Sequence, residues 1–252
     1  MVGMSSVLSI GATGSIGRLV VDELLARGFD VRALTRDPIA ASGTLPDAVA
    51  AVRGDLATGE GLREALEGVD AVVLTHGGDD RDVDYDGVRR VLEALDGRTP
   101  RIVLMTSMGV TRESDAWGGI MNWKRRAERL VRAYGAPYTI VRPGWFDYQG
   151  PTLNAVLFEQ GDGTAVTNRR GVARSQIAKT LVAALVSEDA EGKTFELFAQ
   201  EGELQDDFRA LFAELAPDRA DDFAGPVDDR VALADEPDEV LKDIGAVRAL
   251  GA

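Results

Sequence analysis

The chain has 252 residues, 45% hydrophobic and 28% charged, with no cysteine, a single histidine and a net charge of −14. This composition supports a full hydrophobic core and excludes extensive disorder, disulfides, thiolate chemistry and a histidine-rich zinc site, so no metal is expected. The acidic balance makes nucleic acid and anionic membranes poor partners, and no run approaches the roughly 18 apolar residues of a membrane span.

Short apolar runs at 7–10, 31–34, 49–53, 71–74, 102–105 and 138–141 read as strands. Between them lie amphipathic stretches at 15–27, 61–66, 85–95 and 117–134 that read as helices. The strands are continuous apolar runs rather than alternating ones, the pattern of a parallel sheet covered on both faces. Strand–helix repetition then predicts an α/β, doubly wound, mainly parallel sheet of Rossmann type. The core is assigned to residues 1–147. Residues 148–252 are assigned to a substrate-binding region and an acidic helical tail, packed on the core as one structural unit. In that second part 156–158, 164–166 and 194–198 read as strand-like, and 175–187, 205–215 and 237–250 as helical. Residues 201–252 carry −10 of the net charge, yet Phe208, Leu211, Phe212 and Leu215 share a helical face, so the tail is expected to pack.

The strongest local signal is Gly11-Ala12-Thr13-Gly14-Ser15-Ile16-Gly17, which follows the first strand and opens the first helix. Gly11 permits a tight turn, Gly14 a close backbone approach to a diphosphate, and Gly17 packing of helix on strand, with the phosphates at the helix N-terminus. The second strand ends Leu34-Thr35-Arg36-Asp37-Pro38. A guanidinium at that tip suits a 2′-phosphate, so NADP(H) is preferred and NAD(H) is possible; Asp37 could compete for Arg36. Asp55 could accept from an adenine amino group with Leu56 against the ring, or cap a helix. Thr75, His76 and Gly77 follow the fourth strand, where the backbone should pass beside the cofactor, with His76 a possible proton donor or an incidental loop residue.

In chain order these residues, with Thr106-Ser107-Met108-Gly109, Trp123-Lys124 with Glu128, and Val141-Arg142-Pro143-Gly144-Trp145-Phe146, resemble an atypical, NmrA-type member of the short-chain dehydrogenase/reductase superfamily over about residues 5–200. The resemblance implies a Rossmann sheet of about seven strands and a nicotinamide cofactor. It also implies a Ser after the fifth strand, matched by Thr106-Ser107, and a Lys on the following helix that binds the nicotinamide ribose, matched by Lys124. The weaker alternative for Lys124 is one residue of a solvated basic run, Lys124-Arg125-Arg126. Pro143 and Gly144 match the turn that runs against the nicotinamide amide. The Tyr expected four residues before the Lys is Ile120, so the usual Ser–Tyr–Lys proton relay is broken. Tyr148, and after it His76, are the candidate replacement acids. Trp145, Phe146 and Tyr148 could wall a pocket for a flat substrate or merely cover the sheet edge.

The expected activity is an NADP(H)-dependent oxidoreductase that transfers hydride to a small conjugated or quinone-like carbonyl, since such acceptors need less help from an enzyme acid. The alternative is a non-catalytic NADP(H)-sensing regulatory protein of NmrA type; a cofactor-using epimerase is a third, weaker reading. The partner is a small molecule, the assembly a monomer or homodimer, and the location the cytoplasm, because no signal peptide is seen.

Overall fold

In a computed structural model, residues 5–78, 80–112, 119–147, 150–165, 170–227 and 231–251 are described. The elements run β1 (Ser6–Ile10), α1 (Gly17–Ala26), β2 (Asp30–Thr35), α2 (Pro38–Ser42), β3 (Ala50–Arg53), α3 (Leu62–Leu66), β4 (Ala71–Leu74), α4 (Arg81–Asp84), α5 (Asp86–Leu95) and β5 (Arg101–Met105). They continue with α6 (Ile120–Tyr134), β6 (Tyr138–Pro143), β7 (Trp145–Phe146), β8 (Ala155–Glu159), β9 (Gly171–Val172), α7 (Arg174–Val186), β10 (Lys193–Gln200), α8 (Arg209–Glu214) and α9 (Asp238–Gly251). The main sheet has eight strands in the order β3-β2-β1-β4-β5-β6-β10-β8. Every neighbouring pair is parallel except β8, which runs antiparallel to β10 at one edge. Strand order reverses between β1 and β4, and a ligand crevice opens at the carboxyl ends of the strands beside such a reversal.

Each face of the sheet has its own core. Val7, Val103, Val141, Phe195 and Leu197 meet α1, α7 and a cluster of rings from Phe158, Phe208 and Phe212. Leu8, Leu74, Leu104 and Ile140 meet α3, α5, α6 and α9 on the other side. The acidic tail therefore packs. Glu236 sits between Arg125, Arg126 and Arg129 of α6, and Asp218 pairs with Arg132. Arg125 and Arg126 of the basic run are consequently packed against the tail rather than solvated, which corrects that reading of the sequence.

Other details also differ from expectation. Among the described residues, Thr164 and Ala165 are not in a strand; Val166 and Trp117 lie outside them. The helix expected over 205–215 is only Arg209–Glu214. Gln205 is instead drawn to β8, where its side-chain oxygen accepts from the Val156 N–H at 2.9 Å, and Pro217 disfavours helix beyond Leu215. Helix α2 was not foreseen. Asp37 caps it, accepting from the N–H groups of Ile39 and Ala40, with Pro38 in the first turn.

Candidate functional site

The crevice at the carboxyl edge is a cleft of about 1110 Å³. Its floor starts at the glycine turn. Gly11 has φ +87°, and a Cβ there would stand 2.8 Å from the His76 backbone nitrogen, so only glycine lets the β1 and β4 exits lie side by side. Gly17 is buried behind the loop, where a Cβ would strike the Gly11 carbonyl oxygen at 2.0 Å. Its role is closure of the turn itself rather than packing of the helix on a strand. Thr13, Gly14 and Ser15 are exposed, and the N-cap of α1, Ile16, provides no side-chain cap. The Gly14 and Arg18 N–H groups are tied within the turn, to the Gly11 and Gly14 carbonyls, and no N-cap side chain covers the positive end of the helix dipole, which favours an anion such as a diphosphate.

From this turn the cleft extends two ways. Toward β2 it is lined by Arg36, Asp55 and Leu56. Arg36 is exposed, and its backbone carbonyl is fixed by the Arg53 guanidinium at 2.9 Å. Asp55 accepts from the Ala57 N–H at 2.9 Å and so shapes the turn after β3; it does not cap α3, whose N-cap is Gly61. Toward β5 and β6 the lining includes Thr75, His76, Gly77, Thr106, Ser107, Lys124 and Gly144, together with Met105, Met108, Ile120, Met121, Trp145 and Phe146. Of the expected residues, Gly17 and Pro143 do not line the cleft. Pro143 is buried at the end of β6, and its carbonyl accepts from the Met108 N–H at 3.1 Å, tying the Ser107 loop to β6. Tyr148 lies outside the described residues.

The polar groups differ in how free they are. Thr75 Oγ1 donates to the Ile10 carbonyl and Thr106 Oγ1 to Glu128, so both hydroxyls serve the frame. Ser107 Oγ donates only to the carbonyl of the next residue, Met108, at 3.0 Å. Lys124 Nζ lies 2.6 Å from Asp84 Oδ1, a partner on α4 that sequence reasoning missed. The signal was the acidic stretch Asp80, Asp82, Asp84, Asp86, which matches the basic run of α6 in charge. Burial, helped by the Lys124 charge, pushes the His76 imidazole down to about 3, so it is neutral at physiological pH and is no imidazolium donor. A neutral imidazole keeps one N–H that can donate a hydrogen bond to a substrate oxygen. Ile120, at the position of the family Tyr, faces the cleft as hydrocarbon.

Beneath Ser107 lies a second feature not foreseen. The buried Asp162 carboxylate accepts from the N–H groups of Gly109 and Thr111 and from the Thr111 hydroxyl, at 2.6, 3.1 and 2.9 Å. Its own N–H donates to Glu196, which pairs with Arg142, which in turn pairs with Glu128. Nothing local in the sequence marks Asp162, which is 53 residues from Gly109.

A glycine turn at a helix N-terminus, a guanidinium at the β2 tip and a long cleft over the strand ends fit a dinucleotide. A family model described as NAD(P)H-binding matches residues 11–188. The chain belongs to this NAD(P)H-binding family. Within it, the protein has the character of an atypical short-chain dehydrogenase/reductase. It is 28% identical to sanguinarine reductase from Eschscholzia californica, over 83% of this chain and 96% of that protein. It is 37% identical to the (4-alkanoyl-5-oxo-2,5-dihydrofuran-3-yl)methyl phosphate reductase of Streptomyces griseus, over 56% of this chain and 48% of that one. The structure named ChuY, an anaerobillin reductase from Escherichia coli O157:H7, superposes with a TM-score of 0.66 at 22% identity, covering 80% of this chain and 99% of that one. No helix among the described residues is long and apolar enough to cross a membrane.

Proposed function

We propose that this family member is an NADP(H)-dependent oxidoreductase that reduces a small conjugated or quinone-like carbonyl compound. One observation carries the reading: the cleft joins a dinucleotide cradle to an apolar wall of Met105, Met108, Ile120, Met121, Trp145 and Phe146, with Ser107 as the hydroxyl able to turn toward a substrate. Bound NADPH supplies a hydride from C4 of its nicotinamide. Ser107 orients the acceptor by donating to its oxygen, giving up the Met108 carbonyl to do so. Lys124, held by Asp84, faces the ribose side of the cleft. Arg36 takes the 2′-phosphate.

The proton is the deciding matter. Ile120 has none to give, and His76 is neutral. A simple ketone develops a localised alkoxide that needs a positioned acid. A quinone or enone spreads the incoming electron pair over its conjugated system, so the acceptor can take its proton from water. The names of two relatives support the class: both are reductases, and one is named for a dihydrofuranone whose carbonyl is conjugated.

The test is NADPH consumption, followed by absorbance, against quinones, enones, imines and simple ketones. Turnover with conjugated acceptors and none with simple ketones is expected. NADPH binding without consumption across that panel would instead support a sensing protein. Arg36→Ala should weaken NADPH by about tenfold or more and leave NADH unchanged, because only the former carries the group Arg36 would hold. Equal loss for both cofactors would remove the 2′-phosphate assignment.

A further inference from the structure

Arg174 is the first residue of α7, and it lies 157 positions beyond Gly17 in the chain. Helix α7 packs on α1, which brings its N-terminus beside the glycine turn. There Arg174 Nε donates to Ser15 Oγ at 3.1 Å. Its backbone N–H donates to Asp147 Oδ1 at 3.2 Å, and its guanidinium pairs with the same carboxylate. The guanidinium carbon stands 5.4 Å from the centre of the Phe146 ring. The side chain is about one third exposed, at 35%.

The charge balance at this point matters. A dinucleotide diphosphate carries two negative charges and meets a chain of net charge −14. Among the described residues that line the cleft, the cationic side chains are Arg36 and Lys124. Arg36 stands at the β2 tip, and Lys124, paired with Asp84 at 2.6 Å, stands on the β5 and β6 side, so neither is at the glycine turn. The glycine turn itself brings N–H dipoles and no cation. Arg174 stands one hydrogen bond from its exposed Ser15.

We infer that Arg174 is a cofactor-binding residue that grips the diphosphate, supplied by the substrate-binding part of the chain and set at the glycine turn by its place at the head of α7 and its bond to Ser15. The inference rests on the cofactor reading above. A guanidinium held by one carboxylate through one edge keeps further donors for a phosphate oxygen, and bidentate geometry favours Arg over Lys in that role. Asp147 takes φ +58°, a left-handed backbone that an aspartate adopts at some cost, and its N–H is fixed to the Val172 carbonyl at 2.9 Å. The β7–β9 pair thus carries both Asp147 and the Phe146 ring to the same spot. Because Arg174 touches the phosphates common to both cofactors, it contributes affinity without discriminating NADPH from NADH, in contrast to Arg36.

Calorimetric titration of the full chain with NADPH, NADH and adenosine 2′-phosphate tests this, using Arg174→Ala and Asp147→Ala. Arg174→Ala should weaken both dinucleotides by one common factor, about tenfold or more, as expected for a lost charge-assisted hydrogen bond. It should leave adenosine 2′-phosphate, which has no diphosphate, unchanged. Asp147→Ala keeps the cation and should retain most of the dinucleotide affinity. Wild-type affinity in Arg174→Ala would overturn the assignment, as would an equal loss in Asp147→Ala, which would make Arg174 a structural latch. Failure of the unaltered chain to bind either dinucleotide would overturn the cofactor reading, and this inference with it.

Discussion

The two faces of the sheet are held by different forces. On the side of α1 and α7 the buried side chains are mostly hydrocarbon and rings, among them Val20, Leu24, Val141, Ile177, Leu181 and Phe195, with Arg101, bonded to Thr139 and the end of α7, as a buried charge at the amino edge. On the side of α6 and α9 hydrocarbon gives way, over β6 and β10, to buried ions. Glu128 pairs with Arg132 and Arg142, Arg142 with Glu196, and Arg132 with Asp218. Simple alternation puts the two next to each other in sequence, Val141 before Arg142 and Phe195 before Glu196. Apolar packing is non-directional and sets how far the helices stand from the sheet. Charged hydrogen bonds are directional. Here they end on the loop that carries Ser107, through Thr106–Glu128 and through Asp162.

The largest expected effect tests whether the ionic face stabilises as a unit. Arg142→Leu leaves the Glu128 and Glu196 carboxylates buried without their shared cation. It should cost about 3–5 kcal/mol in urea unfolding, the range for breaking a buried pair from one side. A loss under about 1 kcal/mol would mean that water reaches the network and that the two faces are not so different.

A pH series sharpens the same contrast. Burial, only partly offset by Arg142, raises the Glu196 carboxyl from its ordinary 4.5 to about 7. A raised acid binds more protons folded than unfolded, so its contribution to stability is present below pH 4.5 and lost as pH rises toward about 7. Glu128 goes the other way: burial pushes it up, but Arg142 and Arg132 outweigh that and hold it below the usual range. His76, held at about 3, works against this below pH 6.5, because there the unfolded chain binds a proton that the folded chain does not. The Glu196→Gln variant should therefore gain unfolding free energy with rising pH more steeply than the unaltered chain across this interval. An unchanged slope would assign the titration elsewhere.

Thr106→Val comes next. It removes the 2.6 Å hydrogen bond to buried Glu128 while keeping the side chain's shape. A bond to a charged group is worth about 1.5–3 kcal/mol, and the neighbouring Ser107 should lose its position. Lower turnover with unchanged NADPH affinity would support that link. Unchanged turnover would separate the ionic face from the site.

These differences explain what could be read in advance. The parallel sheet was legible because strands covered on both faces become unbroken apolar runs, as in Ala71–Leu74. The glycine turn was legible because its spacing is a local backbone requirement. Strands β7 and β9 were not, since two residues each give no period to read. The ionic face was half legible. Arg142 and Glu196 stand out inside apolar strands, but their partners lie 14 and 54 residues away from Arg142, and only folding brings them together. Arg125 and Arg126 were misjudged for the same reason, because their shared partner Glu236 sits in the distant tail.

The smallest expected effect belongs to the apolar face and completes the comparison. Ile177 is fully buried on α7, among hydrocarbon neighbours. Ile177→Val removes one methylene and leaves a small void, at a cost of about 0.5–1.5 kcal/mol in urea unfolding. No directional bond depends on it, so turnover and NADPH affinity should match those of the unaltered chain. A large change in turnover would show that α7 packing, and not the ionic face alone, sets the geometry of the cleft. Through Arg174 at the head of the same helix, the cofactor site would be the first place to register it.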